Sequence, residues 1–77
     1  MLKNVRVTDK TEAQNDAAVK EAVSKVTEEL GGNGRILVRE SGTEPVVRVM
    51  VEAGSTEECE MYVDRVIDVI RQRGYCI

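Results

Sequence analysis

The run RILVRESGTEPVVRVMVE, residues 35–52, decides the fold. Arg35-Ile36-Leu37-Val38-Arg39 and Val46-Val47-Arg48-Val49-Met50-Val51-Glu52 are rich in β-branched residues, and the segment between them holds Ser, Gly, Thr and the only proline. Two β-prone runs around a short turn-forming segment read as an antiparallel hairpin. With Arg39 opposite Arg48, opposed residues keep a constant index sum and share a face. Leu37 then meets Met50, and Arg35 meets Glu52 as an opposite-charge pair. The other face collects Ile36 with Val51 and Val38 with Val49. A slip of one residue mixes the two sets, so the pattern selects this register.

The register carries a local fault. Two guanidinium groups directly across a ladder repel, by roughly a few tenths to 1 kcal/mol. A rule broken inside an otherwise consistent segment marks a candidate functional site. A dianion arriving from outside reverses the sign of that interaction, and arginine's planar fork holds two phosphate oxygens at once. Ser41 and Thr43 bring short hydroxyl donors. Gly42 frees the backbone for conformations closed to other residues and permits close approach, and the amides from Gly42 to Glu44 can gather into an anion-binding nest. Pro45 stiffens the exit by fixing its own φ and biasing Glu44 toward extended geometry. Glu44 either turns away from the anion, pairs with an arginine, or accepts hydrogen bonds from sugar hydroxyls. The same run also suits an ordinary hairpin loop, with both arginines solvated or paired to Glu40 and Glu44.

Outward from the hairpin, Lys3-Asn4-Val5-Arg6-Val7 alternates polar and apolar and reads as a strand. Thr8 to Asp16 is polar and offers two helix starts, a capping box at Thr11-x-x-Gln14 and an N-cap at Asn15. Val19, Val23, Val26 and Leu30, with Ala18 and Ala22 beside them, form one buried helical stripe that Gly31-Gly32 stops. The Gly31-Gly32-Asn33-Gly34 cluster follows a helix and lacks a Gly-Lys-Ser/Thr ending, so it reads as a turn and not a phosphate loop. Beyond the hairpin, Ala53-Gly54 breaks the strand and Ser55-x-x-Glu58 is a capping box. Cys59, Tyr62, Val66 and Ile70, widened by Val63, Ile67 and Val69, mark a second helix ended by Gly74. The tail Tyr75-Cys76-Ile77 suits a short edge strand. The order is β-α-β-β-α(-β), an α+β fold with an antiparallel sheet and two helices packed on one face.

Residues 1–77 suffice for a single domain. Net charge is −3, and Tyr62 and Tyr75 are the only aromatics, which disfavours nucleic acid and anionic membrane as partners. No apolar run reaches the roughly 18–20 residues of a membrane span, and no signal-peptide pattern opens the chain. Cys59 and Cys76 are too far apart for a Cys-x-x-Cys site and histidine is absent, so zinc and redox motifs are set aside. Both cysteines are expected as reduced thiols in a cytoplasmic protein.

Arg39-Glu-Ser-Gly-Thr-Glu-Pro-Val-Val-Arg-Val-Met-Val-Glu52 closely resembles the phosphate-binding loop in the C-terminal domain of the α-D-phosphohexomutase superfamily. With Asn4-Val-Arg-Val7 and Leu30-Gly-Gly-Asn-Gly-Arg-Ile-Leu-Val-Arg39 added, the resemblance covers nearly the whole chain. Within the superfamily it is nearest to bacterial phosphoglucosamine mutases, while the Ser-Gly-Thr-Glu-Pro core also occurs in some phosphomannomutases and phosphoglucomutases. The resemblance implies a TATA-binding-protein-like fold and an enzyme several times longer than this chain, so Met1 need not be a natural N-terminus. In that enzyme a phosphoserine of the first domain phosphorylates glucosamine 6-phosphate. The 1,6-bisphosphate reorients and returns a phosphoryl group, leaving glucosamine 1-phosphate for amino-sugar and peptidoglycan precursor synthesis.

The implied phosphate contacts are Arg39, Ser41, Gly42, Thr43 and Arg48. The implied partners are the phosphosugar and the other domains of the same polypeptide. The reacting serine loop and the aspartates that hold Mg²⁺ have no counterpart here. No catalytic or metal-ligating residue and no cofactor is therefore expected in this domain, which is expected to be inactive alone. Two other readings remain: a stand-alone regulatory module that binds a small anion, and an interaction domain that uses the open sheet face.

Overall fold

A computed structural model describes residues 1–76. Strand β1 spans Leu2–Arg6, followed by helices α1, Lys10–Asn15, and α2, Ala17–Leu30. A 3₁₀ turn at Gly31–Asn33 leads to β2, Arg35–Glu40, then β3, Val46–Glu52, and finally α3, Thr56–Gln72. The sheet is antiparallel with order β1-β3-β2, so the first strand pairs with the third and β3 is central. The hairpin register is the one that the apolar pattern selects, from Arg35 opposite Glu52 to Arg39 opposite Arg48.

Because opposed residues share a face, Val5, Val47, Val49 and Val51 form the sheet's inner layer, flanked by Ile36 and Val38 of β2. Val19, Ala22, Val26 and Leu30 of α2 cover it from one side, and Cys59, Tyr62, Val63, Val66 and Ile70 of α3 from the other. A fully buried valine or isoleucine is worth about 1.5–3 kcal/mol relative to exposure, so this layer holds the helices on the sheet. Both stripes repeat at helical spacing. Among the described residues no helix is long and apolar enough to cross a membrane.

The region before α2 differs from the expectation. It holds a separate helix, α1, divided from α2 at Asp16, which gives three α-helices among the described residues. The caps are Asp9 and Asp16, not Thr11 or Asn15. Asp9 accepts from the Glu12 amide at 3.0 Å, and Asp16 Oδ1 accepts from Ala18 N at 2.8 Å and Val19 N at 3.3 Å. Asp16 has extended backbone, with ψ 133, which turns the chain between the two helices. Its other carboxylate oxygen accepts from the Tyr75 hydroxyl at 2.7 Å and from Arg73 Nε at 3.2 Å. One buried carboxylate therefore caps α2 and ties down the segment after α3. The expected C-terminal strand is reduced to a single bridge, Val7 with Cys76; Ile77 lies outside the described residues.

Glycine is needed at Gly34 for space. A Cβ there would lie 2.2 Å from the Glu52 carbonyl oxygen, where the turn after α2 crosses the end of β3. At Gly31, which ends α2, φ is 58, in the left-handed region that favours glycine.

Two outcomes are expected. Gly34→Ala forces backbone apart and lowers stability by about 1–3 kcal/mol, measured by urea unfolding. Hydrogen bonds, first from Tyr75 and then from Arg73 and the Ala18 and Val19 amides, lower the Asp16 pKa from 3.8 to about 2, against an opposing effect of burial. The depressed value means that this stabilisation is complete above the unfolded pKa and is lost as pH falls through about 4 to about 2. Melting curves across that window should steepen for the wild type and flatten for Asp16→Asn.

Candidate functional site

Arg39 and Arg48 project from the sheet face opposite the helices, the fixed consequence of a register in which their neighbours Val38, Val47 and Val49 point inward. Neither arginine makes a salt bridge among the described residues. Arg35, four residues before Arg39, pairs bidentately with Glu52 through Nε at 3.0 Å and Nη2 at 3.2 Å. Glu40 and Glu44 do not pair with the opposed arginines. The paired-arginine form of the ordinary hairpin reading is therefore not adopted.

Between the strands, Ser41 organises the loop. Its amide donates to the Val46 carbonyl at 2.8 Å, closing the ladder. Its hydroxyl oxygen accepts from the Thr43 and Glu44 amides, each at 3.4 Å, and the residue is buried. Two of the amides expected to meet an anion, those of Thr43 and Glu44, thus lean on the serine oxygen through long and weak bonds. The Val46 amide donates to the Glu44 carbonyl at 2.8 Å across Pro45, a tight turn that proline's fixed φ favours. The Pro45 carbonyl in turn accepts from Val7 at 2.9 Å, fastening the loop exit to the end of β1.

Arg39, Ser41, Gly42, Thr43 and Arg48 line one open cavity of about 490 Å³, together with Gln14 and Glu40. Every residue expected from the sequence to contact phosphate is brought to this concavity. One reason given for Gly42 is corrected: its φ is not positive, so glycine's special conformations are not used. Nor does packing within the domain require glycine there, since a Cβ at Gly42 would meet nothing within 4 Å and the position faces open space. Glu44 does not line the cavity, and its carboxylate has no partner among the described residues.

The sequence reading missed the contribution of α1. Lys10 Nζ donates to the Ser41 carbonyl at 2.6 Å, and the Glu40 amide donates to Gln14 Oε1 at 3.0 Å. Thr11 donates to Glu40 Oε2 at 2.7 Å and so holds one carboxylate oxygen of a cavity acid. Thr11 and Gln14 were read as a capping box. Their side chains turn instead to β2, and α1 acts as a strap across the start of the loop. Nothing in local spacing signals a contact between residues 26 or 29 positions apart.

The architecture defines an α+β domain whose central hairpin presents a loop flanked by two opposed arginines and lined with hydroxyls and amides. Residues 2–69 match the sequence model of the family described as phosphoglucomutase/phosphomannomutase, C-terminal domain, and the chain belongs to that family. It is 74% identical over 77 residues to a phosphoglucosamine mutase of Lachnospira eligens, covering 100% of this chain and 17% of that protein. A phosphoglucosamine mutase of Lachnoclostridium phytofermentans is 59% identical over 75 residues, covering 97% and 17%, and one of Oceanobacillus iheyensis 57% over 72 residues, covering 94% and 16%. The chain spans only 16–17% of the length of these curated relatives. Its place is that of the C-terminal domain of a phosphohexomutase.

If the strap sets the loop, Lys10→Met should leave the fold intact while amide hydrogen exchange at residues 41–44 quickens by about tenfold, the scale of one charge-assisted hydrogen bond.

Proposed function

We propose that this chain is the substrate-phosphate-binding domain, residues 1–77, of a phosphoglucosamine mutase that interconverts glucosamine 6-phosphate and glucosamine 1-phosphate in the cytoplasm. The reading rests on one observation: two opposed arginines that make no salt bridge among the described residues open onto the same cavity as Ser41, Gly42 and Thr43. The identity to named phosphoglucosamine mutases over almost the whole chain supports that sugar over the mannose and glucose phosphates. Their much greater length supports an enzyme part over a stand-alone regulatory module.

In this role Arg39 and Arg48 take the oxygens of the phosphate that is not reacting. The Thr43 and Glu44 amides exchange their long bonds to Ser41 for shorter ones to the dianion, and the serine and threonine hydroxyls donate to its remaining oxygens. Holding that remote phosphate orients the sugar toward the reacting end, so binding energy gained here lowers the barrier elsewhere. The phosphoserine, the other domains and Mg²⁺ belong to the rest of the polypeptide. Among the described residues no group of three His, Cys, Asp or Glu side chains is placed to hold a metal ion, so no step is assigned to one here.

Titration with glucosamine 6-phosphate, followed by amide shifts of Gly42 and Thr43, tests the reading. The expected dissociation constant is about millimolar, because most of the sugar's contacts lie in other domains. Arg48→Ala should weaken binding by about tenfold to a hundredfold with the fold intact. Unmoved wild-type amides overturn the proposal, and micromolar binding by this chain alone favours the regulatory module.

A further inference from the structure

The arginines divide into those that pair with a carboxylate and those that do not. Arg35, Arg65, Arg71 and Arg73 each pair with a carboxylate. The others, Arg6, Arg39 and Arg48, make no salt bridge among the described residues, and all lie on the open face of the sheet. In the β1–β3 ladder Asn4 is opposite Arg48 and Arg6 is opposite Val46, so Arg6 is the diagonal neighbour of Arg48 on the same face. The Ser41 amide binds Val46 from the other side. Ser41, Val46 and Arg6 therefore form the row next to Arg39 and Arg48, on the side toward the loop. Diagonal neighbours lie about 7–8 Å apart at Cα, within reach of long side chains.

Two further facts single out this corner. Val46 is only 5% exposed although it belongs to the open face and stands outside the main core cluster. Arg6 is its direct partner across the β1–β3 ladder, Arg48 follows it on the same face of β3, and the loop begins beside it. The chain also carries more acids than bases, 14 against 11, yet among the described residues none forms a salt bridge with these guanidiniums; Glu40, which shares the cavity of Arg39 and Arg48, has one carboxylate oxygen held by Thr11. Like charges left together in an acidic protein call for an external counter-ion.

We propose that Arg6 is a third ligand-binding guanidinium of the phosphate site, so that a phosphate monoester dianion is met from β1 as well as from β2 and β3. This deepens the reading given under Proposed function and rests on it. Arg39 and the loop take the anion from one side. Arg6 reaches its outer oxygens from the other, and Arg48 sits between them beside the Val46 floor. The site then spans every strand of the sheet, with a charge that favours a dianion over a monoanion.

Inorganic phosphate is the probe, titrated into wild type, Arg6→Met, Arg6→Lys and, as a control, Arg71→Met, with the Gly42 and Thr43 amide shifts as readout. Methionine keeps an unbranched apolar side chain opposite Val46 and removes the charge; lysine keeps the charge and loses the fork. Arg6→Met should bind about tenfold more weakly, Arg6→Lys should fall between it and wild type, and Arg71→Met should match wild type. The salt dependence of binding should also be shallower in Arg6→Met. If wild type binds and Arg48→Ala binds more weakly, as expected under Proposed function, while Arg6→Met binds as tightly as wild type, Arg6 is not in the site and the rest of the reading stands. If wild type shows no shift, the phosphate site falls and Arg6 with it. A lowered melting temperature in Arg6→Met with unchanged phosphate affinity assigns Arg6 a covering role alone and also overturns the proposal.

Discussion

Arg39 stands directly across the ladder from Arg48, and the rest of the domain holds that pair in place. Strand pairing fixes the two residues opposite each other, and the aliphatic layer beneath fixes which face they take. Moving either arginine inward requires a register slip that exposes Val38, Val47 and Val49 together. The repulsion between the guanidiniums is small beside that apolar burial, so the fold tolerates it. Such a pair is well suited to anion recognition, because the cost of bringing the charges together is met by folding and not by the ligand.

The loop illustrates the same economy at finer scale. Ser41 is buried and anchored through its amide, its carbonyl and its hydroxyl. Residues 42–45 are exposed around it. The loop is thus held firmly at one residue and loosely elsewhere, with the amides of Thr43 and Glu44 on long bonds that a stronger acceptor can replace. Helix α1 reaches the site only through side chains, and it carries a lysine to the carbonyl of the anchored serine.

Much of this was legible in the sequence, and what was not has a physical reason. The hairpin register followed from period-two alternation and from Arg35 facing Glu52, because both are local to one ladder. The buried stripes of α2 and α3 followed from helical spacing, and Ser55 caps α3 as its capping box indicates, accepting from Glu58 N at 3.2 Å. The segment from Thr8 to Asp16 misled because Asp9, Thr11, Asn15 and Asp16 all have cap-forming side chains. The choice among them was made by tertiary partners, above all Tyr75 and Arg73, which fix Asp16 from the far end of the chain. The strand order β1-β3-β2 and the strap from Lys10 and Gln14 to the loop likewise arise from long-range docking, to which no periodicity is sensitive. The residues of the candidate site were readable because they are contiguous around one turn; Gln14, which joins them in the cavity, was not.

The central claim is that the opposed arginines are a destabilising pair whose counter-ion comes from outside. Thermal unfolding of wild type and Arg48→Met, in sodium chloride and in sodium phosphate at matched ionic strength, tests it most directly. In chloride the variant should be at least as stable as wild type, since it loses a repulsion and no ion pair. Phosphate at about ten times its dissociation constant should stabilise wild type by about 1.4 kcal/mol, several degrees for a domain of this size, and leave the variant nearly unmoved. Equal stabilisation of both proteins by phosphate, or a large loss of stability for the variant in chloride, contradicts the account.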